Sequence, residues 1–258
     1  SAGRIEMVNG GWTQNGESAT HYNSIIDQRT LGFQRLLNTF GKCAIPKVGW
    51  QIDTYGHSRE QASIFAMFGF DAFFFSRLDY QDQQTREKSK TLEFIWKGSD
   101  EIGASSNIFT NVMDNGYGPP GGFCFDVRCG DEPIIDDPTL VDYNVDKRVN
   151  DFVKFVNDFS SKYRTNNIMI PMGSDFQYEN AHQNFKNMDK LIKYVNSRVS
   201  NMHLFYSTPS CYTYAVNQAN LTWTTKTDEF QPYANDPHSY WTGFFTSRPA
   251  IKYYERFS

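Results

Sequence analysis

Two apolar segments, "KVGWQI" at 47–52 and "DAFFFS" at 71–76, narrow what this chain can fold into more than any other feature. Between them, "SREQASIFAMF" has the marks of one short helix. Ser58 and Gln61 stand at capping-box spacing, and Ala62, Phe65 and Phe68 recur at helical intervals. Strand, helix and strand in so short a span predict a βαβ unit, whose strands run parallel. "AFFF" has no polar residue at alternate positions, so that strand is expected to be covered on both faces.

The same alternation extends along the chain. "RIEMV" at 4–8, "NIMIPM" at 167–172 and "MHLFYS" at 202–207 read as further strands. Ile26, Phe33, Leu36, Leu37 and Phe40 fall on one helical face, with Gly41 placed to end the helix. Val145, Val149, Phe152, Val153, Val156 and Phe159 mark a second helix; Phe185, Met188, Leu191, Ile192 and Val195 mark a third. The class expected is α/β, a parallel sheet with helical crossovers. From Trp96 to Asp142 the pattern breaks into Gly, Pro, Asn and Asp. A loop that long is expected to cover a site.

With 258 residues the chain can bury a sizeable core, as one large α/β domain or two small ones. A net charge of -4 gives no electrostatic reason to expect nucleic acid or an anionic membrane as partner. No apolar run approaches the roughly 20 residues that cross a bilayer. The opening "SAGRIEMVNGGW" and the uncapped helical pattern of "RPAIKYYERFS" read as part of a longer precursor. Cys124 and Cys129 in "CFDVRC" allow a small closed loop or two separate thiols, and spacing does not choose. "NLT" at Asn220 is the one glycosylation sequon.

Ligands of parallel α/β folds bind at the carboxyl ends of strands. Three expected strand ends carry charge: Asp53 after "VGWQI", Arg77 after "AFFFS" and Asp175 after "IMIPMGS". A single acid there is commonly a cap or turn residue. Two acids in one cleft are the minimum for glycoside hydrolysis, one at the anomeric carbon and one protonating the leaving oxygen. Arg77 would keep one of them ionised; the plainer reading is an ion pair joining two loops. His57 sits in the turn before a capped helix, and fixing that turn explains it better than metal binding. The other histidines lack ligand spacing. "GYGPPGG" at 116–122 lacks the ending of a phosphate loop, and Ser58 is a cap rather than a nucleophile.

"NGGW", "GWQIDTYGHSREQASIFAMFGFDAFFFSRLDYQD", "MGSDFQYENA" and "YWTGFFTSRPA" resemble, in order, the amino-terminal catalytic region of glycoside hydrolase family 38. "GHSREQA" and "GSDFQYEN" resemble its lysosomal branch more than its Golgi processing branch. The resemblance implies residues 1–258 as part of a single α/β catalytic domain, lacking its start and downstream segments. It also implies a seven-stranded β/α barrel-like fold of the glycoside hydrolase/deacetylase type. The activity implied is a zinc-dependent retaining α-mannosidase acting on mannose-containing, N-glycan-derived oligosaccharides in the lysosome.

By the same resemblance Asp53 is nucleophile and zinc ligand, and Asp175 is the general acid/base. Arg77 lies beside the nucleophile, and Tyr117 and Trp241 line the mannose pocket. Thr54 and Tyr55 stand where the family usually has Pro and Phe, so an aromatic sugar-binding face remains. The other zinc ligands are expected outside this chain, which leaves the isolated chain inactive. Cys124 pairs with Cys129, Cys211 has its partner upstream, and Asn220 carries a glycan. The expected partners are mannose oligosaccharides and the rest of the parent polypeptide, with a homodimer allowed; no nucleic acid and no membrane span are expected. The competing readings are a non-catalytic mannose-binding fragment and a Golgi-type processing enzyme. A zinc-dependent polysaccharide deacetylase would need a histidine pair at helical spacing, which is missing.

Overall fold

The computed structural model describes residues 3–258, which fall into two compact units. One comprises Ile5–Asp114 and Leu221–Ser258, and the other Asn115–Asn220 with Gly3 and Arg4.

The first unit holds a five-stranded sheet of β1 (Val48–Gln51), β2 (Ala72–Phe75), β3 (Glu93–Lys97), β4 (Asn107–Val112) and β5 (Thr225–Lys226), in the order β1-β2-β4-β3-β5. β1, β2 and β4 run parallel, and Gln51 is in register with Phe75. β3 is antiparallel to β4 and parallel to β5, so the sheet is mixed rather than purely parallel. The expected βαβ unit is present. Helix α2 (Arg59–Met67) joins β1 to β2, and Ser58 Oγ accepts from Gln61 N at 3.1 Å.

β2 is buried at every position. Its period of two sends Phe73 and Phe75 to one face, where they meet Trp96 with ring centroids 6.0 and 6.1 Å away. Phe65 of α2 closes on Phe73 at 4.9 Å, while Phe74 turns to the other face against Trp50. Each such ring, fully buried, contributes about 1.5–3 kcal/mol.

Helix α1 (Tyr22–Phe40) ends at Gly41 as expected, but it buries Ile25, Arg29 and Gly32 and leaves Leu37 and Phe40 exposed. Gly32 lies against the backbone of Gly10–Trp12, where an added Cβ would stand 2.1 Å from the Gly10 carbonyl oxygen. Close backbone approach selects this face. Helix α3 (Tyr80–Ser89) and β4 fall outside the expected elements; α3 buries no residue and so has no apolar stripe. β4 lies within the supposed long loop, which in fact begins after it. "RIEMV" forms no strand: Asn9 meets β1 instead, donating to Val48 O at 2.9 Å and accepting from Trp50 N at 3.1 Å.

The second unit packs α4 (Val145–Ser160) and α5 (Ala181–Arg198) around Phe123, Phe125, Val149, Phe152, Met188, Leu191 and Val195. Helix α6 (Pro209–Gln218) follows. "NIMIPM" and "MHLFYS" form no ladder, although Ile170, Met172, Met202 and Leu204 pack on this core. Pro171 lacks a donor. The side chain of Asn196 takes both backbone groups of Leu204 at 2.7 Å, in place of a neighbouring strand.

Candidate active site

The parallel register of β1 and β2 sets their carboxyl ends side by side, and Ser76 Oγ donates to Ile52 O at 2.6 Å across the gap. Asp53 and Arg77 each follow their strand by two residues. Arg77 Nε donates to Asp53 Oδ1 at 2.9 Å, and Nη2 binds the same oxygen. Nη1 donates to the Tyr233 hydroxyl at 3.3 Å. Burial works to lower the Arg77 pKa, but the hydrogen bonds it donates to Asp53 and Tyr233 override this and hold the guanidinium above the ordinary arginine range. The Asp53 side chain stays 45% exposed, against 25% for Arg77, so the acid is reachable and the base is its support.

Aromatic rings enclose the pair. Arg77 Cζ lies 5.4 Å from the Tyr55 ring, 4.9 Å from Trp241 and 5.9 Å from Tyr233. Tyr55 meets Trp241 at 4.8 Å and Phe244 at 5.5 Å. Asn235 orients the indole, accepting from Trp241 Nε1 at 2.7 Å. The structure therefore brings together Asp53, Arg77, Tyr55 and Trp241. Sequence reasoning missed Tyr233, Phe244 and Asn235; their one signal was the aromatic density of "FQPYANDPHSYWTGFF", which has no period. His57 fixes its turn as expected: it is fully buried and stacked on Phe75.

In the second unit Asp175 is exposed on a turn, and the segment leading to it is tied to Tyr117 by Gly173 N donating to Tyr117 O at 3.3 Å. Phe176 (φ 59°) and Tyr178 (φ 68°) adopt left-handed conformations that cost aromatic residues energy and recur at functional sites. Asp126 holds that turn. Its Oδ2 accepts from Tyr178 N at 2.7 Å and Asn184 Nδ2 at 3.1 Å. The Tyr178 N–H above all, against the effect of burial, keeps the Asp126 carboxyl below the usual range. A depressed folded-state pKa gives stability that is complete above the unfolded value and lost as pH falls through the folded one. The turn is thus expected to stay protected at pH 5 and to loosen only below about pH 4, read from exchange of the Tyr178 amide.

The disulfide Cys124–Cys129 brackets Asp126. Replacing both cysteines by serine is expected to destabilise the loop by about 2 kcal/mol, with new protease cleavage near residues 123–131 as the readout. Cys43 and Cys211 are exposed and unbonded. Asn220 is exposed beyond α6 with φ 49°, a left-handed helix-terminating position that asparagine tolerates. Among the described residues no three His, Cys, Asp or Glu side chains converge to hold a metal ion.

The pattern of the glycosyl hydrolases family 38 N-terminal domain matches residues 1–236. The chain belongs to glycoside hydrolase family 38. It is 52% identical over 260 residues to the lysosomal alpha-mannosidase of Cavia porcellus and 51% identical to that of Homo sapiens. These alignments cover 99% of this chain and 26% of each relative, so the chain spans about a quarter of their length. The lysosomal alpha-mannosidase of Dictyostelium discoideum is 48% identical. In structure, the chain is similar to an alpha-mannosidase from Enterococcus faecalis V583, with a TM-score of 0.63 at 17% identity, over 87% of this chain and 22% of that one. That likeness concerns the fold alone.

Proposed function

We propose that this chain is part of a lysosomal, retaining exo-α-mannosidase that removes terminal α-D-mannose from N-glycan-derived oligosaccharides. The observation that carries the reading is Asp53, reachable yet gripped by Arg77 inside an aromatic enclosure, in a family 38 chain about half identical to lysosomal alpha-mannosidases. The seven-stranded barrel-like fold and the single catalytic domain belong to the same proposal, as does N-glycosylation at Asn220.

Arg77 binds one carboxylate oxygen, which orients Asp53 and sets a positive charge beside it. Asp53 attacks the anomeric carbon, and the glycosidic bond breaks as Asp175 gives its proton to the leaving oxygen. Water then attacks the glycosyl ester, yields a proton to Asp175 and releases Asp53. Tyr55 and Trp241 offer faces on which a sugar stacks, and Tyr117 is assigned to the same binding role. Among the described residues the donors do not make up a zinc site. Zinc dependence rests on the family alone. For the same reason residues 1–258 by themselves are expected to be inactive.

The test is Asp175→Asn in the full-length protein. Loss of the proton donor hurts poor leaving groups most. Hydrolysis of mannose oligosaccharides is expected to fall about 10²–10⁴-fold, while an activated aryl α-mannoside keeps much more of its rate. Equal losses on both substrates would remove Asp175 from the acid/base role.

A further inference from the structure

We propose that Glu17 is a positioning residue that sets the loop carrying Asp53, an assignment that rests on the reading of Asp53 as nucleophile. The loop at 52–57 joins β1 to α2 and presents both Asp53 and Tyr55. One buried carboxylate ties its two ends. Glu17 Oε1 accepts from Gln51 Nε2 at 3.2 Å, at the last residue of β1. The same oxygen faces His57 Nδ1 at 2.9 Å, and Oε2 accepts from Ser58 N at 2.8 Å, at the cap of α2. Gln51 and His57 are fully buried, and so is the Glu17 side chain.

An ordinary helix start would not need this group. In a capping box the Gln61 side chain would return to Ser58 N, but Gln61 Oε1 is taken by Asn15 Nδ2 at 2.8 Å. The chain instead commits a buried acid, which carries a desolvation cost. A buried base stands near it. Arg29 donates to Asn9 O at 2.7 Å and Asn15 Oδ1 at 3.0 Å; burial pulls its pKa down to about 10, against the opposing charge of Glu17.

His57 is specified just as closely. Its ring stacks on Phe75 at 4.0 Å, its Nδ1 faces Glu17 and its Nε2 makes no hydrogen bond, so the ring's one polar contact is with that carboxylate. The middle of the loop is held from the neighbouring residue. Gln231 Nε2 donates to Ser18 Oγ at 2.7 Å and reaches Tyr55 O at 3.5 Å. At Gly56, with φ 84°, an added Cβ would stand 2.6 Å from Gln231 Oε1, so glycine lets the loop pass the Gln231 amide. The loop is therefore held at both ends by a single carboxylate and at its centre by the segment beside it. The surface acid Asp53 inherits its direction from this buried support.

The experiment compares Glu17→Ala and Glu17→Gln with Ile108→Ala in the full-length protein. Ile108 is a buried β4 residue outside this network and serves as a control for simple loss of stability. Amides of residues 52–57 are expected to exchange at least about tenfold faster in the Glu17 variants than in the control. On an aryl α-mannoside well below the melting range, kcat is expected to fall about 10²-fold, with KM changed far less. The control should keep both constants. Glu17→Gln keeps an acceptor and should lie between Glu17→Ala and wild type; should Glu17→Ala fail to accumulate, it carries the comparison. Loop exchange and kcat equal to the control would overturn the proposal. If the wild-type protein released no mannose, the functional reading would fail, and exchange alone would still decide whether Glu17 sets the loop.

Discussion

Asp53→Asn in the full-length protein is expected to abolish turnover, with kcat lowered by about four orders of magnitude or more, and to leave the fold intact. The substitution is nearly isosteric, so Arg77 Nε and Nη2 can still donate to the remaining carbonyl oxygen. An amide is a far weaker nucleophile than a carboxylate. The side chain is about half exposed, which limits the stability lost with its charge. The measurements are kcat on an aryl α-mannoside and the thermal midpoint of the purified variant. Residual activity within about tenfold of wild type would mean that another group attacks the sugar. A collapsed midpoint with proportionate activity would instead make the Asp53–Arg77 pair a structural tie.

The second large effect is on stability. Phe75 is fully buried, and its ring meets His57 at 4.0 Å, Phe230 at 5.1 Å, Phe73 at 5.3 Å and Trp96 at 6.1 Å. Phe75→Ala removes a ring that four others pack on, and the sheet cannot close over the space. The expected loss is about 3–5 kcal/mol, read as a lower thermal midpoint and reduced accumulation of the full-length protein. Phe75→Leu keeps most of the volume and should cost markedly less. Because Phe75 also supports His57, the alanine variant is expected to lose activity at temperatures where the leucine variant is still active. A midpoint unchanged within a degree would show that the aromatic cluster is not the core of this unit.

These expectations draw unevenly on the sequence. β1, α2 and β2 were legible because apolar runs and a capping serine are local signals. The positions of Asp53 and Arg77 followed from them, since strand ends are where a parallel sheet exposes side chains. α3 and β4 were hidden by their composition: α3 has no buried residue, and β4 carries polar Thr110 and Asn111 inside the core, with Asn111 Nδ2 donating to Glu93 Oε1 at 3.0 Å. A polar pair that satisfies itself in the interior looks like a loop until its partner is known. The buried face of α1 was misread for a related reason, because Arg29 and Gly32 fill it where periodicity looks for large apolar residues. "NIMIPM" and "MHLFYS" have strand composition but find a proline and an asparagine side chain where a ladder would be. Glu17, Tyr233 and Phe244 could not be placed at all. Each matters through a contact with a residue far along the chain, and no local pattern carries that information.

The sheet-bearing unit is written in two parts, 5–114 and 221–258, with the other unit's residues between them. Tyr233 and Trp241, which enclose Arg77, belong to the second part. During synthesis the ribosome therefore releases Asp53, Tyr55 and Arg77 long before Tyr233 and Trp241, the other two rings around the guanidinium. β1, β2, β3 and β4 can pair as they emerge, but β5 and the site's aromatic wall must wait for the whole intervening unit. Chains fold domain by domain as they are made, and contacts between distant segments form late because the loop between them must first close. A nascent chain halted before residue 230 should thus hold an assembled β1–α2–β2 core with the Asp53–Arg77 pair in place but Tyr233 and Trp241 still missing from around it. Assembly of the site is a late event in the life of each molecule, timed by the order in which its sequence is read.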